Sequence, residues 1–276
     1  MSESAVNAYE THVSTVRSEY SNFRDVGGLP ARDGRTFASG VVFRTQALVD
    51  PAPEVRDALM ALGLSTVVDL RMDHERVELP IDLPESVEVV IADVASDFAK
   101  KNGITEAGAA AAPRRLDKNA YVPSANLSGG YNMMVNMYRG LVTFDSAKLG
   151  YAQMLRSIIN SDGSVAIFCA AGKDRTGWGS ALLQSFAGVD DQLIIDSYLE
   201  TNKNLKDRYA SAIEDVKISG GDMEAFMAVV SSNGDYLAEG FSTLRSRYGD
   251  ISRYFSEGLG LTDHELQQLQ NRILTQ

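Results

Sequence analysis

The chain has 276 residues, 44% of them hydrophobic and 23% charged, which is enough to bury a sizeable core in one or two domains. It carries 26 Lys and Arg against 37 Asp and Glu, a net charge of −11, which speaks against binding nucleic acid by its phosphate backbone. A small anion is not excluded, because a local nest of donors can hold one. No apolar run approaches the ~18 residues of a membrane span, and Met1–Tyr20 lacks the cationic-then-apolar order of a secretory signal, so a cytoplasmic location is expected. The sole cysteine permits no internal disulfide and no multi-cysteine metal site, leaving buried filler or a nucleophile.

In chain order, residues 1–20 show weak helical periodicity through Val6, Tyr9, Val13, Val16 and Tyr20, a helix expected to dock late or fray. Asn22–Gly28 reads as a polar loop and Asp33-Gly34 as a hairpin-type turn before a short strand at Val41–Phe43. Pro53–Leu62 is helical, with Gly63 as its C-terminal cap. Thr66–Leu70, Val87–Ile91 and Val165–Phe168 are strands. Helical stretches between them imply crossover connections and a parallel sheet covered on both faces. Residues 99–130, with the run Gly108–Pro113, read as a mobile insertion. From Thr176 onward the chain is helical, and Thr262-Asp263-His264-Glu265 opens the last helix as a capping box. No internal repeat or linker divides the chain. The fold class is α/β in a single domain of residues 1–276: a small, mostly parallel sheet flanked by helices, with a helical C-terminal half.

The sole cysteine stands between an apolar strand and a helix, in Cys169-Ala170-Ala171-Gly172-Lys173-Asp174-Arg175-Thr176-Gly177. A tight loop ending at a helix N-terminus turns successive amide N–H groups inward, and the helix dipole adds positive charge. Ala170, Ala171 and Gly172 keep such a bowl open, and Gly172 allows backbone angles forbidden to other residues. Arg175 can add two parallel charge-assisted hydrogen bonds to a phosphate. The same field favours the thiolate of Cys169, poised for attack on phosphorus.

Cys169–Arg175 resembles the phosphate-binding loop of cysteine-dependent phosphatases. Gly172–Gly177 is similar to that of the atypical bacterial tyrosine and phosphoinositide phosphatases typified by mycobacterial protein tyrosine phosphatase B. Asn22–Asp25 with Gly40 and Phe43–Thr45 resembles the opening of that family, and Val68–Arg71 with Glu75 its second element. Asp196–Leu199, Asn202, Tyr248-Gly249 and Leu259–Leu261 resemble its C-terminal half. The likeness runs from about Asn22 to Leu274. It departs at Phe168, where the family usually has a histidine.

The resemblance implies a phosphatase acting on phosphate monoesters, phosphotyrosine-type and phosphoinositide, through a phosphocysteine on Cys169. Arg175 would hold the phosphate, and Thr176 would donate to the thiolate or simply cap the helix. Ala170, Ala171, Gly172 and Lys173 complete the loop, with Lys173 as a cation at its rim. The general acid is Asp93, with Asp97 close behind it, or Asp174 within the loop. Arg24, Asp25, Arg44, Asp69 and Arg71 are read as ion-paired supports of the loops. Residues 203–236 resemble a mobile helical lid. Met133, Met134 and Met137 with Tyr131 and Tyr138 read as core packing or an aromatic wall. Expected partners are a phosphorylated protein or lipid head group and the phosphate ion, with no cofactor, no metal, no nucleic acid and no membrane span. A catalytically weak or inactive phosphate-binding module, given Phe168, is the alternative.

Overall fold

The computed structural model describes residues 3–103 and 129–275; most of the insertion expected over residues 99–130 lies outside them. A five-stranded sheet runs in the order β1-β2-β5-β3-β4, from Arg24–Asp25 (β1), Val42–Gln46 (β2), Leu64–Asp69 (β3), Glu88–Ile91 (β4) and Ser164–Cys169 (β5). Only β1 is antiparallel to its neighbour; the other three pairings are parallel. The Asn22–Gly28 segment, expected as a loop, therefore contributes an edge strand. The Asp33-Gly34 turn is present, with Gly34 at φ +87°, but isolated bridges rather than strands flank it.

Side-chain alternation on β5 divides the protein into two layers. Val165, Ile167 and Cys169 face one apolar cluster; Ala166 and Phe168 face the other. The second cluster is covered by α1 (Glu3–Glu19) and α2 (Pro53–Ala61) through Val13, Val16, Val55, Ala58 and Leu59, with Tyr20 just after α1. The first helix thus docks on the sheet. Its Tyr9 hydroxyl donates to Asp25, whose carboxyl burial pushes above the usual range.

The larger layer holds most of the other helices. Short α3 (Asp73–Glu78) and α4 (Ser96–Lys101) follow β3 and β4. Then come α5 (Gly130–Thr143), α6 (Asp145–Asn160), α7 (Asp174–Phe186) and α8 (Asp191–Asn204). The C-terminal run is α9 (Ala210–Ser219), α10 (Met223–Val230), α11 (Gly234–Tyr248), α12 (Ile251–Arg253) passing into a π-helical turn at Tyr254–Gly258, and α13 (Asp263–Ile273). The capping box on α13 forms, with the Thr262 Oγ1 accepting from the Glu265 amide at 3.2 Å. No described helix is long and apolar enough to cross a membrane.

The strand order locates the site. The parallel strands β2 and β3, consecutive in sequence, lie on opposite sides of β5, so their connections part around its C-terminal end. That is where open α/β sheets leave a crevice. Helix α7 starts there, buried along most of its length, and its Trp178 is the only tryptophan in the chain. A Cβ on Gly240 of α11 would lie 2.6 Å from the Trp178 ring, so the two helices meet only because residue 240 has no side chain. Gly240→Ala is expected to cost about 1–3 kcal/mol by overpacking, read as a lower unfolding midpoint and a shifted Trp178 emission.

Candidate active site

β5 ends at Cys169, which is buried, and the chain turns through Ala170–Lys173 into α7. The helix begins at Asp174, two residues earlier than the sequence suggests. The loop's carbonyls are tied down from outside. Asn22 Nδ2 donates to Ala171 O (3.1 Å) and Gly172 O (2.9 Å), and Arg44 Nη2 donates to Gly172 O (2.8 Å) and Lys173 O (3.3 Å). The Ala47 amide donates to Ala170 O at 3.3 Å. Peptide units whose carbonyls point outward present their N–H groups to the opposite side. Among the described residues, the amides of Ala170–Asp174 meet no protein acceptor. The loop is therefore a nest of donors at a helix N-terminus.

Gly172 is required twice over. Its φ is +65°, and a Cβ there would lie 2.2 Å from Thr45 O. Gly177 lies against Tyr198 and Arg44, where a Cβ would meet the tyrosine ring at 2.9 Å. Thr176 is fully buried at the start of α7, and among the described residues its Oγ1 has no hydrogen-bond partner, so its hydroxyl is uncommitted there.

Arg175 is gripped by Glu75 of α3, Nη1 to Oε2 at 2.5 Å and Nη2 to Oε1 at 2.7 Å. Burial raises the Glu75 pKa, but the Arg175 charge and its hydrogen bonds prevail and hold the carboxyl below its ordinary value. Glu75 is in turn placed by β3. Asp69 and Arg71 form a fully buried bidentate pair, Arg71 Nη1 donates to Leu79 O at 2.7 Å, and the Met72 amide donates to Glu75 Oε2 at 2.9 Å. Arg24 donates to Asn22 O (3.0 Å), Asn22 Oδ1 (2.5 Å), Ser197 O (3.0 Å) and Thr201 Oγ1 (2.9 Å). Asp25 bonds the amides of Gly27 and Gly40.

The two candidate acids differ in their surroundings. Asp93 is half-buried in the turn after β4, where its Oδ1 accepts from the Ala95 and Ser96 amides at the start of α4. Desolvation raises its pKa despite those bonds and the charges of Arg175 and Arg76. Asp174 is committed on both oxygens, to the Tyr138 hydroxyl (3.2 Å) and to Lys173 Nζ (3.2 Å). Asp97 accepts from the Ser146 amide at the start of α6.

Lys173 corrects an expectation. Its ammonium is buried, not at the rim, and donates to Val229 O (2.5 Å) and Ser231 O (3.2 Å) at the end of α10 as well as to Asp174. A lysine satisfying the last carbonyls of a helix needs no ligand. Phe168 lies on the other face of β5 from Cys169, under the Arg71 guanidinium, which stands 5.3 Å from the ring centroid. Ala171 packs with Leu205, Tyr209, Phe226 and Val230, so the region from the end of α8 to α10 lies on the loop. Met134 and Tyr138 are core residues, whereas Tyr131 is exposed. The supporting roles of Asn22, Gln46, Glu75 and Thr201 were not foreseen; Gln46 Oε1 accepts from the Asn22 amide at 3.0 Å. Only the grouping of Asn22 and Glu75 with arginines pointed to the first and third of these. No group of three or more possible metal ligands occurs among the described residues.

An α/β sheet that delivers a cysteine into a donor nest at a helix N-terminus has the construction of a phosphate-ester enzyme. Residues 16–275 match the model of the tyrosine phosphatase family, and the chain belongs to that family as a protein-tyrosine phosphatase. It is 25% identical over 277 residues to the triple specificity protein phosphatase PtpB of Mycobacterium tuberculosis, covering 92% of this chain and 96% of that one. It is 26% identical over 236 residues to a tyrosine-protein phosphatase of Nostoc commune, covering 79% and 69%. The crystal structure of P. aeruginosa TpbA aligns with a TM-score of 0.30 at 16% identity, over 71% of this chain and 91% of that one.

The Glu75–Arg175 pair has a signed consequence for stability. A carboxyl held below its ordinary value near 4.5 stabilises the fold above that pH, and the contribution is lost as pH falls through the lower folded value. Glu75→Gln is expected to cost roughly 3–5 kcal/mol at pH 7 by breaking the two charge-assisted bonds to Arg175. Unfolding curves of the two proteins should converge progressively below pH 4.5.

Proposed function

We propose that this chain hydrolyses phosphate monoesters of the phosphotyrosine type through a phosphocysteine on Cys169. The observation that carries the proposal is the outward anchoring of the Ala171, Gly172 and Lys173 carbonyls, which turns the loop's amides toward a bound phosphate. The Cys169 thiolate attacks phosphorus, the P–O ester bond breaks, and the leaving oxygen takes a proton from Asp93. Water then attacks phosphorus, giving its proton to Asp93 while the S–P bond breaks and the thiolate returns. Arg175, fixed by Glu75, stabilises the equatorial oxygens in both steps. Thr176 Oγ1, buried and uncommitted, is suited to donate to the departing thiolate.

Asp93 is favoured as the acid because desolvation keeps its proton to higher pH, whereas Asp174 is held on both oxygens and braces the loop. The internal use of the Lys173 ammonium removes the argument for a multiply phosphorylated inositol head group and favours a single phosphate on an aromatic alcohol. A binding module without turnover is the weaker reading, because Phe168 points away from the loop and leaves its donors intact.

Cys169→Ser is expected to abolish turnover of an aryl phosphate while inorganic phosphate still binds; appreciable activity in this variant defeats the covalent mechanism. Asp93→Asn is expected to lower kcat far more for poor leaving groups than for activated ones. It should also remove the fall in kcat on the alkaline side of the profile, since a raised carboxyl is the group that loses its proton there. If Asp174→Asn shows that pattern instead, the acid is Asp174.

We also infer that α9 and α10 act as a lid, since they pack on Ala171 through a cluster separate from the main core. Phe226→Ala is expected to speed peroxide inactivation of Cys169 several-fold while the Trp178-monitored unfolding midpoint changes little. A collapse of that transition would make these helices core.

A further inference from the structure

Arg24 and Arg44 are paired directly across β1 and β2, and both side chains are buried. Like charges opposite one another in a sheet repel, and a buried charge without a counterion is costly. Their hydrogen-bond acceptors among the described residues are neutral oxygens: carbonyls, the Asn22 amide oxygen, and Thr201 Oγ1, which accepts from Arg24 at 2.9 Å and from Arg44 at 3.5 Å. Arg44 Nε has no hydrogen-bond partner among the described residues. Among the described residues, the one carboxylate within ion-pair distance of either arginine is the solvent-exposed Glu200, 3.7 Å from Arg24 Nε.

The other charges around the loop cancel locally. Asp69 pairs with Arg71, Glu75 with Arg175, Asp174 with Lys173, and Asp73 with Arg76. Burial pushes Tyr138, Tyr151 and Tyr198, on α5, α6 and α8, well up, so they remain neutral. Asp93 is raised and stands beyond Arg175. What remains is a surplus of positive charge on the Cys169 face of β1 and β2; Asp25 lies on the opposite face, where Tyr9 and the amides of Gly27 and Gly40 take its carboxyl. Arg44 pairs in register with Ile167 and lies on the same face of the sheet as Cys169, which pairs with Gln46 two residues further on.

We propose that Arg44, with Arg24 behind it, is a positioning residue: an uncompensated cationic platform beneath the phosphate loop whose missing counterion is supplied by the Cys169 thiolate and, in turn, by a phosphate dianion. This rests on the reading of Cys169 as nucleophile. Burial lowers the Arg44 pKa, as expected of a guanidinium taken out of water without a carboxylate partner. The carbonyl bonds from Arg44 to Gly172 and Lys173 give the same residue two tasks, shaping the loop and charging it.

The test is the pH dependence of iodoacetamide alkylation at the sole cysteine, followed by mass spectrometry at low ionic strength. In Arg44→Met the midpoint is expected to rise by about one pH unit, and in Arg44→Lys, which keeps the charge, to stay near the wild-type value. Glu200→Gln alters only a solvent-exposed side chain and removes the carboxylate paired with Arg24. Its midpoint is expected to fall by about 0.3 units. Inorganic phosphate should protect Cys169 less well in Arg44→Met than in Arg44→Lys. If Glu200→Gln leaves the midpoint unchanged, the platform is overturned, whether or not Arg44→Met folds. Retained turnover in Cys169→Ser would defeat the nucleophile assignment instead, while leaving the alkylation midpoints as measured.

Discussion

The orientation of three peptide units, at Ala171, Gly172 and Lys173, is the constraint on which the rest of the site depends. Their carbonyls could not point outward unless donors waited for them, and those donors come from Asn22 and Arg44, far away in sequence. Neither donor is free to wander. Asn22 is held by Gln46 and by Arg24, and Arg44 lies on β2 directly beside β5. The close approach this demands is why residue 172 has no side chain: the loop rests on Thr45 O, where a Cβ would collide. Buried carbonyls left unbonded would each cost on the order of 1–3 kcal/mol, so the N-terminal segment is part of the loop's stability.

A second set of restraints reaches Arg175 from the other side. Asp69 closes on Arg71, Arg71 reaches across α3 to Leu79 O, and Glu75 of α3 takes Arg175 with both oxygens. Buried ion pairs of this kind add little net stability compared with apolar packing, but they fix direction, and losing one partner strands the other. The guanidinium that closes the loop is thus set by a strand, a short helix and a carboxylate before any ligand arrives. Such fixed electrostatics lower the reorganisation needed when charge develops.

Much of this could be read in the sequence because local chemistry announces it. The apolar and β-branched runs marked four of the five strands to within a few residues. Cys169–Gly177 marked the loop because glycine, small residues and a helix start occur together there. What could not be read is what depends on long-range register. Arg24-Asp25 becomes an edge strand only because β2 offers it a ladder, and two residues carry no periodicity. Lys173 looked like a solvent-facing cation, and nothing nearby in sequence reveals that the carbonyls of Val229 and Ser231 fold back onto it. Glu75 stood in a matching stretch without an evident partner, since Arg175 is 100 residues away.

The distribution of charge reconciles an acidic protein with an anionic substrate. The chain carries −11 overall, yet four of its cations, Arg24, Arg44, Lys173 and Arg175, gather within or against one loop and are almost wholly removed from water. At ordinary ionic strength exposed charges are screened beyond about 8–10 Å, so the acidic surface and the buried cations act over different ranges. A compact phosphate on a small stalk penetrates to where the dielectric is low and the cations are strong. Depth, more than total charge, therefore decides which anions this protein can hold.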